Sequence, residues 1–222
     1  MTYQDRNPTW HDEDGPAKAA GLYAMLSKHH IRPLKVMEVG CGTGAVLASM
    51  ADWWQAADQH PLCEGWDVAP WPIAQAQSRG NASLTFHCGA LPHDAHADLL
   101  MCVDVFEHVP DDVAFLKSLR QVAPWMLFRI PLDESWLDRA TGRTSLFRTQ
   151  YGHLHAYTRR KALDCLQRAD IEVVDWAFHR IAPDLTLRNV GMAAIRAAAF
   201  GVHPRGTVRL LGGWSLVVLG RP

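Results

Sequence analysis

Apolar residues along this chain follow two alternating rhythms, short runs of strand length and longer stretches with helical spacing. Lys35–Val39, Pro61–Asp67, Leu84–Cys88, Asp98–Val103 and Trp125–Ile130 are the short runs, and Asp98–Val103 suits a central strand buried on both faces. Helical stretches separate them. Gly44–Ala57 spaces Val46, Leu47, Met50 and Trp54 for burial, and Pro70–Arg79 and Asp111–Val122 read as two more helices. A helix from Asp14 to about His30 precedes the first strand, with Ala19, Leu22, Tyr23, Leu26 and His30 near one face. Strands alternating with helices imply parallel pairing through right-handed crossovers, hence a doubly wound α/β sheet.

After Pro131 the rhythm breaks. Residues 132–157 are polar, Arg-rich and aromatic, and predict an excursion that serves as a lid. Thr158–Ala169 reads as a helix with Thr158 as N-cap, Ile171–Ala177 as a strand, and the Ala-rich residues 184–200 as a helix. Gly213–Gly220 completes seven strands and is expected to pair antiparallel. With no repeat, linker or low-complexity tract, residues 1–222 are expected to form one domain, with an N-terminal helical cap over about residues 1–34.

The chemistry concentrates in Val36-Met-Glu-Val-Gly-Cys-Gly-Thr-Gly-Ala-Val-Leu47, where a strand ends, three glycines follow at alternate positions, and a helix begins. Gly40 and Gly42 permit a tight turn that a ligand can approach at the carboxyl end of a central strand. Glu38 is an acceptor suited to an ammonium group, and Asp67, at the end of the next strand, can accept both hydroxyls of a ribose. A dinucleotide fold competes, because Gly40, Gly42 and Ala45 also satisfy G-x-G-x-x-A. Three features weigh against NAD: Glu38 would set negative charge near a pyrophosphate, the length leaves no separate substrate domain, and a terminal apolar strand fits a sheet with one antiparallel member.

Glu38-Val-Gly-Cys-Gly-Thr-Gly44, Gly65-Trp-Asp-Val68 and Val103-Asp-Val-Phe-Glu-His-Val109 together resemble the class I methyltransferases that use S-adenosylmethionine (SAM). Asp104–Val109 and Gly152-His-Leu-His-Ala-Tyr-Thr158 are similar to the subgroup of small-molecule and quinone O-methyltransferases. Arg6–His11 and Arg209–Leu216 are similar to a bacterial branch without an assigned substrate. The resemblance implies a Rossmann-like methyltransferase fold with SAM as cofactor. It implies that Glu38, Gly40, Cys41, Gly42 and Gly44 surround the methionine part, that Asp67 and Val68 hold ribose and adenine, and that Val103 and Asp104 border the sulfonium. The sequence departs from the pattern after the third strand, where Cys88-Gly-Ala-Leu91 lacks the acid that often binds the adenine amino group; backbone atoms of Gly89 and Ala90 are expected to serve instead.

Charge bears on the acceptor. The net charge of −1 is divided unevenly: residues 1–111 carry 6 basic and 14 acidic residues, residues 112–222 carry 16 and 9. A near-neutral total argues against a nucleic-acid partner, and the expected acceptor is a small molecule or saccharide methylated on oxygen. RNA or protein methylation, and a non-catalytic SAM-binding protein, are the rival readings. His108 and His153 are the candidate bases, with His155 two residues on, since a hydroxyl acceptor must lose a proton. Trp10 and Trp136 are expected over the active site, and Arg143, Arg148, Arg159 and Arg160 are expected as solvated charge ahead of steering an anionic acceptor. No metal is expected: His93-Asp-Ala-His96 has no third ligand in view, and the five cysteines form no C-x-x-C pair. Free thiols and the absence of a signal or a spanning segment lead to the expectation of a cytoplasmic protein. For Val190–Leu211 a packed insertion or a homodimer contact is expected ahead of a membrane-surface role.

Overall fold

The structure, a computed structural model, describes Asn7, residues 9–180 and residues 187–222, with side chains in the last stretch described from Gly191 onward. Seven strands form one sheet: β1 (Lys35–Val39), β2 (Leu62–Asp67), β3 (Leu84–Cys88), β4 (Leu99–Val103), β5 (Trp125–Pro131), β6 (Glu172–His179) and β7 (Ser215–Arg221). Their order is β3-β2-β1-β4-β5-β7-β6, and β7 alone runs antiparallel, pairing with both β5 and β6. The chain winds outward from β1 through β2 to β3, then returns to place β4 on the other side of β1. That reversal creates a crevice above the carboxyl ends of β1 and β4, where open α/β sheets bind ligands.

Helices cover both faces: α1 (Gly15–Lys28), α2 (Ala45–Ala56), α3 (Pro70–Ala76), α4 (Asp112–Leu119), α5 (Trp136–Ala140), α6 (Arg143–Tyr151), α7 (Arg159–Arg168), α8 (Leu187–Val202) and α9 (Pro204–Leu211). All of β4 is buried, and its side chains alternate between two cores. Leu99, Met101 and Val103 join Leu22, Leu47, Met50 and Trp54 on the α1–α2 side; Leu100 and Cys102 join Leu116, Phe128 and Leu166 on the other. The caps are local. Asp111 accepts from Ala114 N–H and Thr158 from Lys161 N–H, which fixes where α4 and α7 begin.

The expected elements are present, with differences at their ends. The helix expected over Pro70–Arg79 stops at Ala76 and finishes as a 3-10 turn, Gln77–Arg79. The strand expected to end at Ala177 runs on to His179, paired with Ser215. Residues 132–157 are more ordered than an open excursion, because α5 and α6 lie within them. Ser135 sets the start of α5 by accepting from Asp138 N–H while its hydroxyl donates to the Asp138 carboxylate at 2.5 Å. The Ala-rich helix runs from Leu187 to Val202 and a further helix, α9, follows it; residues 184–186 of the expected helix lie outside the described residues, as do Arg6 and Pro8 of the N-terminal motif. No described helix is long and apolar enough to cross a membrane.

Candidate active site

β1 delivers the glycine turn to the crevice. Gly40 has φ +71, and a Cβ there would lie 2.4 Å from Val105 Cγ2, so only glycine fits both the backbone and the neighbour. Gly42 has φ +53, and its missing side chain leaves room for Trp10, whose ring atoms would lie 2.8 Å and 2.9 Å from a Cβ. The turn is held to β2, since Gly40 and Cys41 N–H both donate to Trp66 O. Asp67 closes the arrangement, accepting from Gly42 N–H at 2.9 Å and from Ala69 N–H at 2.8 Å. Its carboxylate is thereby oriented at the strand end.

Glu38 is 1% exposed, and its Oε2 has no hydrogen-bond partner. Burial pushes its carboxyl up to about 8; the Lys18 charge opposes this, and Asp67 and Asp104 add to it. A buried, unpartnered carboxyl oxygen beside a glycine cradle fits a ligand that brings a positive amino group. Cys41 is also buried here, and its thiol is pushed far up, first by burial and then by Glu38 and Asp67, so it serves as an inert apolar wall.

Two hollows meet over the strand ends, sharing Trp10, Gly40, Asp104 and His108. The larger, of about 1090 Å³, is lined by Asp67, Val68, Gly89 and Ala90 among others. Gly89 N–H donates to Asp67 O at 2.8 Å, so that donor is already engaged, and the carbonyls and the Ala90 amide are what this loop offers an adenine. His93 and His96 line the same hollow, and no metal-type cluster forms around them among the described residues.

The smaller, about 320 Å³, takes in Glu38, Gly40, Cys41, Gly42, Val103 and Asp104 on one side and His108 and His153 on the other. Gly44 is absent from both linings; it caps α2 and faces Phe86. Asp104 has φ +55 and is bonded by Arg129 and Lys18. Burial alone would raise its carboxyl, but those two cations offset it and hold it below the usual range. Phe147 and Tyr151, one turn apart on α6, form an aromatic wall with Trp10.

The histidines separate in role by position. His153 Nδ1 lies 2.5 Å from Asp133 Oδ2, and its ring meets that of His108 edge-on at 4.8 Å. His108 Nδ1 faces Gly152 O at 3.4 Å; burial and the neighbouring His153 push its imidazole down to about 4. His155 turns away, its Nε2 bonded to Val109 O at 2.9 Å. Trp136 is 69% exposed and lines neither hollow, so of the two tryptophans expected over the site only Trp10 is there. Nor do the four arginines gather at it. Arg143 pairs with Asp138 and lies over Phe147, Arg148 is exposed, and Arg159 and Arg160 border a separate hollow with Arg205 and Arg209.

Several residues of the site were not singled out by the sequence reading, among them Lys18, Glu107, Arg129, Asp133, Phe147 and Tyr151. Arg129 carries a signal, a lone charge inside the apolar strand Trp-Met-Leu-Phe-Arg-Ile-Pro that demands a buried anion. Glu107 stands in the quoted motif beside His108. Asp133 and Lys18 carry no local signal.

Such a switch-point cradle, with a buried acceptor for an ammonium and a carboxylate at the next strand end, defines the class I SAM-binding fold. Residues 10–175 match the family described as Methyltransferase domain, and the chain belongs to that family. It is a SAM-dependent methyltransferase, and the residues present fit that cofactor. Solved structures agree on the fold. The Haloferax volcanii protein in complex with the Trm112 methyltransferase activator is similar at 13% identity and TM-score 0.70, covering 99% of this chain and 96% of its own. Magnesium protoporphyrin IX methyltransferase from Synechocystis, with bound S-adenosylhomocysteine, gives 15% identity and TM-score 0.62, covering 100% and 88%. A SAM-dependent methyltransferase from Mesorhizobium loti gives 19% and 0.60, covering 94% and 99%.

Proposed function

We propose that the enzyme transfers the SAM methyl group to a hydroxyl of a small molecule or saccharide held in the smaller hollow. The observation that carries this reading is the size and lining there: a hollow of about 320 Å³ beside α6, with an aromatic wall and two imidazoles. That suits a compact acceptor better than a polymer. SAM, when bound, supplies a methyl group already activated as a sulfonium, so the protein's part is to bind, orient and exclude water. Glu38 takes the amino group, Asp67 the ribose, the Gly89–Ala90 loop the adenine edge, and Val103 and Asp104 border the reacting centre. Trp10, Phe147 and Tyr151 supply flat apolar faces of the kind that pack on sugar rings.

A hydroxyl acceptor must give up its proton. Of the two candidate bases, His153 is the better placed, because Asp133 fixes its ring. His108, pushed down to about 4, is a weak proton acceptor and serves to pack and orient His153. Residues 132–157 act as the lid, through α5 and α6.

Incubation with methyl-labelled SAM and fractionated cell extract tests the reading. Label in low-mass or glycan material supports it. Label in RNA or polypeptide refutes it.

A further inference from the structure

We propose that Glu107, His108 and His153 form a binding site for one divalent transition-metal cation of the Mn2+, Co2+ or Zn2+ type. Each residue offers one ligand atom, and the three atoms lie within 4.8 Å of one another. A cation about 2.0–2.2 Å from each of three donors sets them about 3.3–3.8 Å apart in tetrahedral or trigonal geometry, so the widest pair must close by about 1 Å.

Glu107 is the first reason. Its side chain is fully buried, yet it lines the hollow, and neither carboxyl oxygen has a hydrogen-bond partner. His108 Nε2 stands 4.0 Å from Glu107 Oε1, too far for a hydrogen bond but close enough for both to share an ion. The two buried carboxyl oxygens of Glu107, left unbonded, are expensive unless something positive lies beside them.

The imidazoles are the second reason. His153 Nδ1 is bonded to Asp133 Oδ2 and His108 Nδ1 faces Gly152 O, so Nε2 is the nitrogen each ring would offer a cation, and that of His108 lies 4.0 Å from Glu107 Oε1. An outer acceptor on the far nitrogen is how metal-bound histidines are held in tautomer and orientation. The cluster is also braced, because Leu154 and His155 N–H both donate to Glu107 O, tying the His153 loop to the turn that carries Glu107 and His108. Asp104, Glu107 and Asp133 outnumber Lys18 and Arg129 around the hollow, which leaves room for positive charge. Two imidazoles and one carboxylate favour a first-row transition ion over Mg2+ or Ca2+, which take oxygen ligands.

The site stands on this geometry alone. Its role rests on reading the hollow as the acceptor's: a hydroxyl bound to the cation would be acidified, and the cation would replace His153 as the group that draws off the proton.

Titration of the metal-stripped full chain with Co2+, followed by its visible absorption, needs neither acceptor nor SAM. One equivalent is expected to saturate it. Glu107→Gln and His153→Ala are expected to weaken binding at least tenfold, and Asp133→Asn, which keeps all three ligands, by about 10–100-fold. Asp67→Ala is expected to bind Co2+ as the parent does while losing S-adenosylhomocysteine affinity. No saturable Co2+ signal, or equal affinity in Glu107→Gln, His153→Ala and the parent, overturns the site. Chelation tests the role separately: label transfer lost on stripping and restored by Mn2+ supports it, and full turnover by stripped enzyme overturns it.

Discussion

Glu38 and Glu107 are both buried carboxyls, one near the end of β1 and the other in the 3-10 turn Phe106–His108 that follows β4, both with an unpartnered oxygen, and burial drives both upward. They differ in what surrounds them. Glu38 belongs to a cradle built from one continuous segment, residues 38–44, with Lys18 and Asp67 beside it. Glu107 belongs to a wall assembled from three separate segments, with Asp104 and Asp133 adding negative charge after the burial itself. The methionine end of the donor side is therefore made by local chain geometry, while Asp67 and the Gly89–Ala90 loop come from the ends of β2 and β3. The acceptor side is made by tertiary contact, and substitutions should divide the two cleanly.

The largest effect expected is on the acceptor side. His153→Ala should lower turnover by about 100-fold or more, with S-adenosylhomocysteine affinity nearly unchanged. Steady-state kinetics beside calorimetry would check this. A parallel loss of affinity would mean the two sides are not separable.

Next, Asp67→Ala should weaken S-adenosylhomocysteine binding by about 1–3 kcal/mol, through loss of a hydrogen-bonded acceptor and release of the Gly42 amide. Thermal shift should show that loss while the acceptor-side residues stay in place. Stabilisation of the parent by NAD alone would reopen the dinucleotide reading.

Glu38 gives a third test, on protons. Its ordinary value is 4.5 and its folded value about 8, so the folded chain holds a proton that the unfolded chain releases between them. Its contribution to stability is present in full below about 4.5 and is lost as pH rises through about 8. A ligand ammonium favours the ionised form, so binding S-adenosylhomocysteine near neutral pH should release up to about one proton. Calorimetry in two buffers of different ionisation enthalpy would measure it, and Glu38→Gln should remove both the proton release and the alkaline loss of stability.

The smallest effect concerns the lid. Ser135→Ala removes the acceptor that caps α5 and the donor to Asp138, and should cost about 1 kcal/mol in denaturant unfolding. Turnover should fall by less than in His153→Ala if the lid needs only its local cap to hold its place.

The donor side was legible in the sequence because its information is contiguous: Glu38, Gly40, Cys41 and Gly42 fall in one stretch, and Asp67 ends the next apolar run. The strands were legible for the same reason, since apolar runs punctuated by Gly, Pro and Asp report a two-sided sheet directly. The acceptor side was legible only as candidates. His153 and His155 are two residues apart and would point the same way in an extended segment, and what separates them is that one meets Asp133 and the other Val109 O. Trp136 looked like Trp10 in composition and lies on the outer surface, because the cap at Ser135 fixes which way α5 turns. The pairing of Arg129 with Asp104 spans 25 residues and depends on the β4–β5 register, in which Val103 faces Arg129.

The antiparallel strand has a consequence in time. β7 enters between β5 and β6, so those two strands are synthesised with a gap between them and meet nothing on their facing edges until residues 215–221 emerge. Ser215 opens that strand and lines the smaller hollow, and Trp214 O accepts from Leu132 N–H at the base of the lid. On the ribosome the donor cradle at β1 is thus complete long before the acceptor wall is. The nascent chain therefore carries the glycine turn and Asp67 well before Ser215, which lines the smaller hollow, has been made.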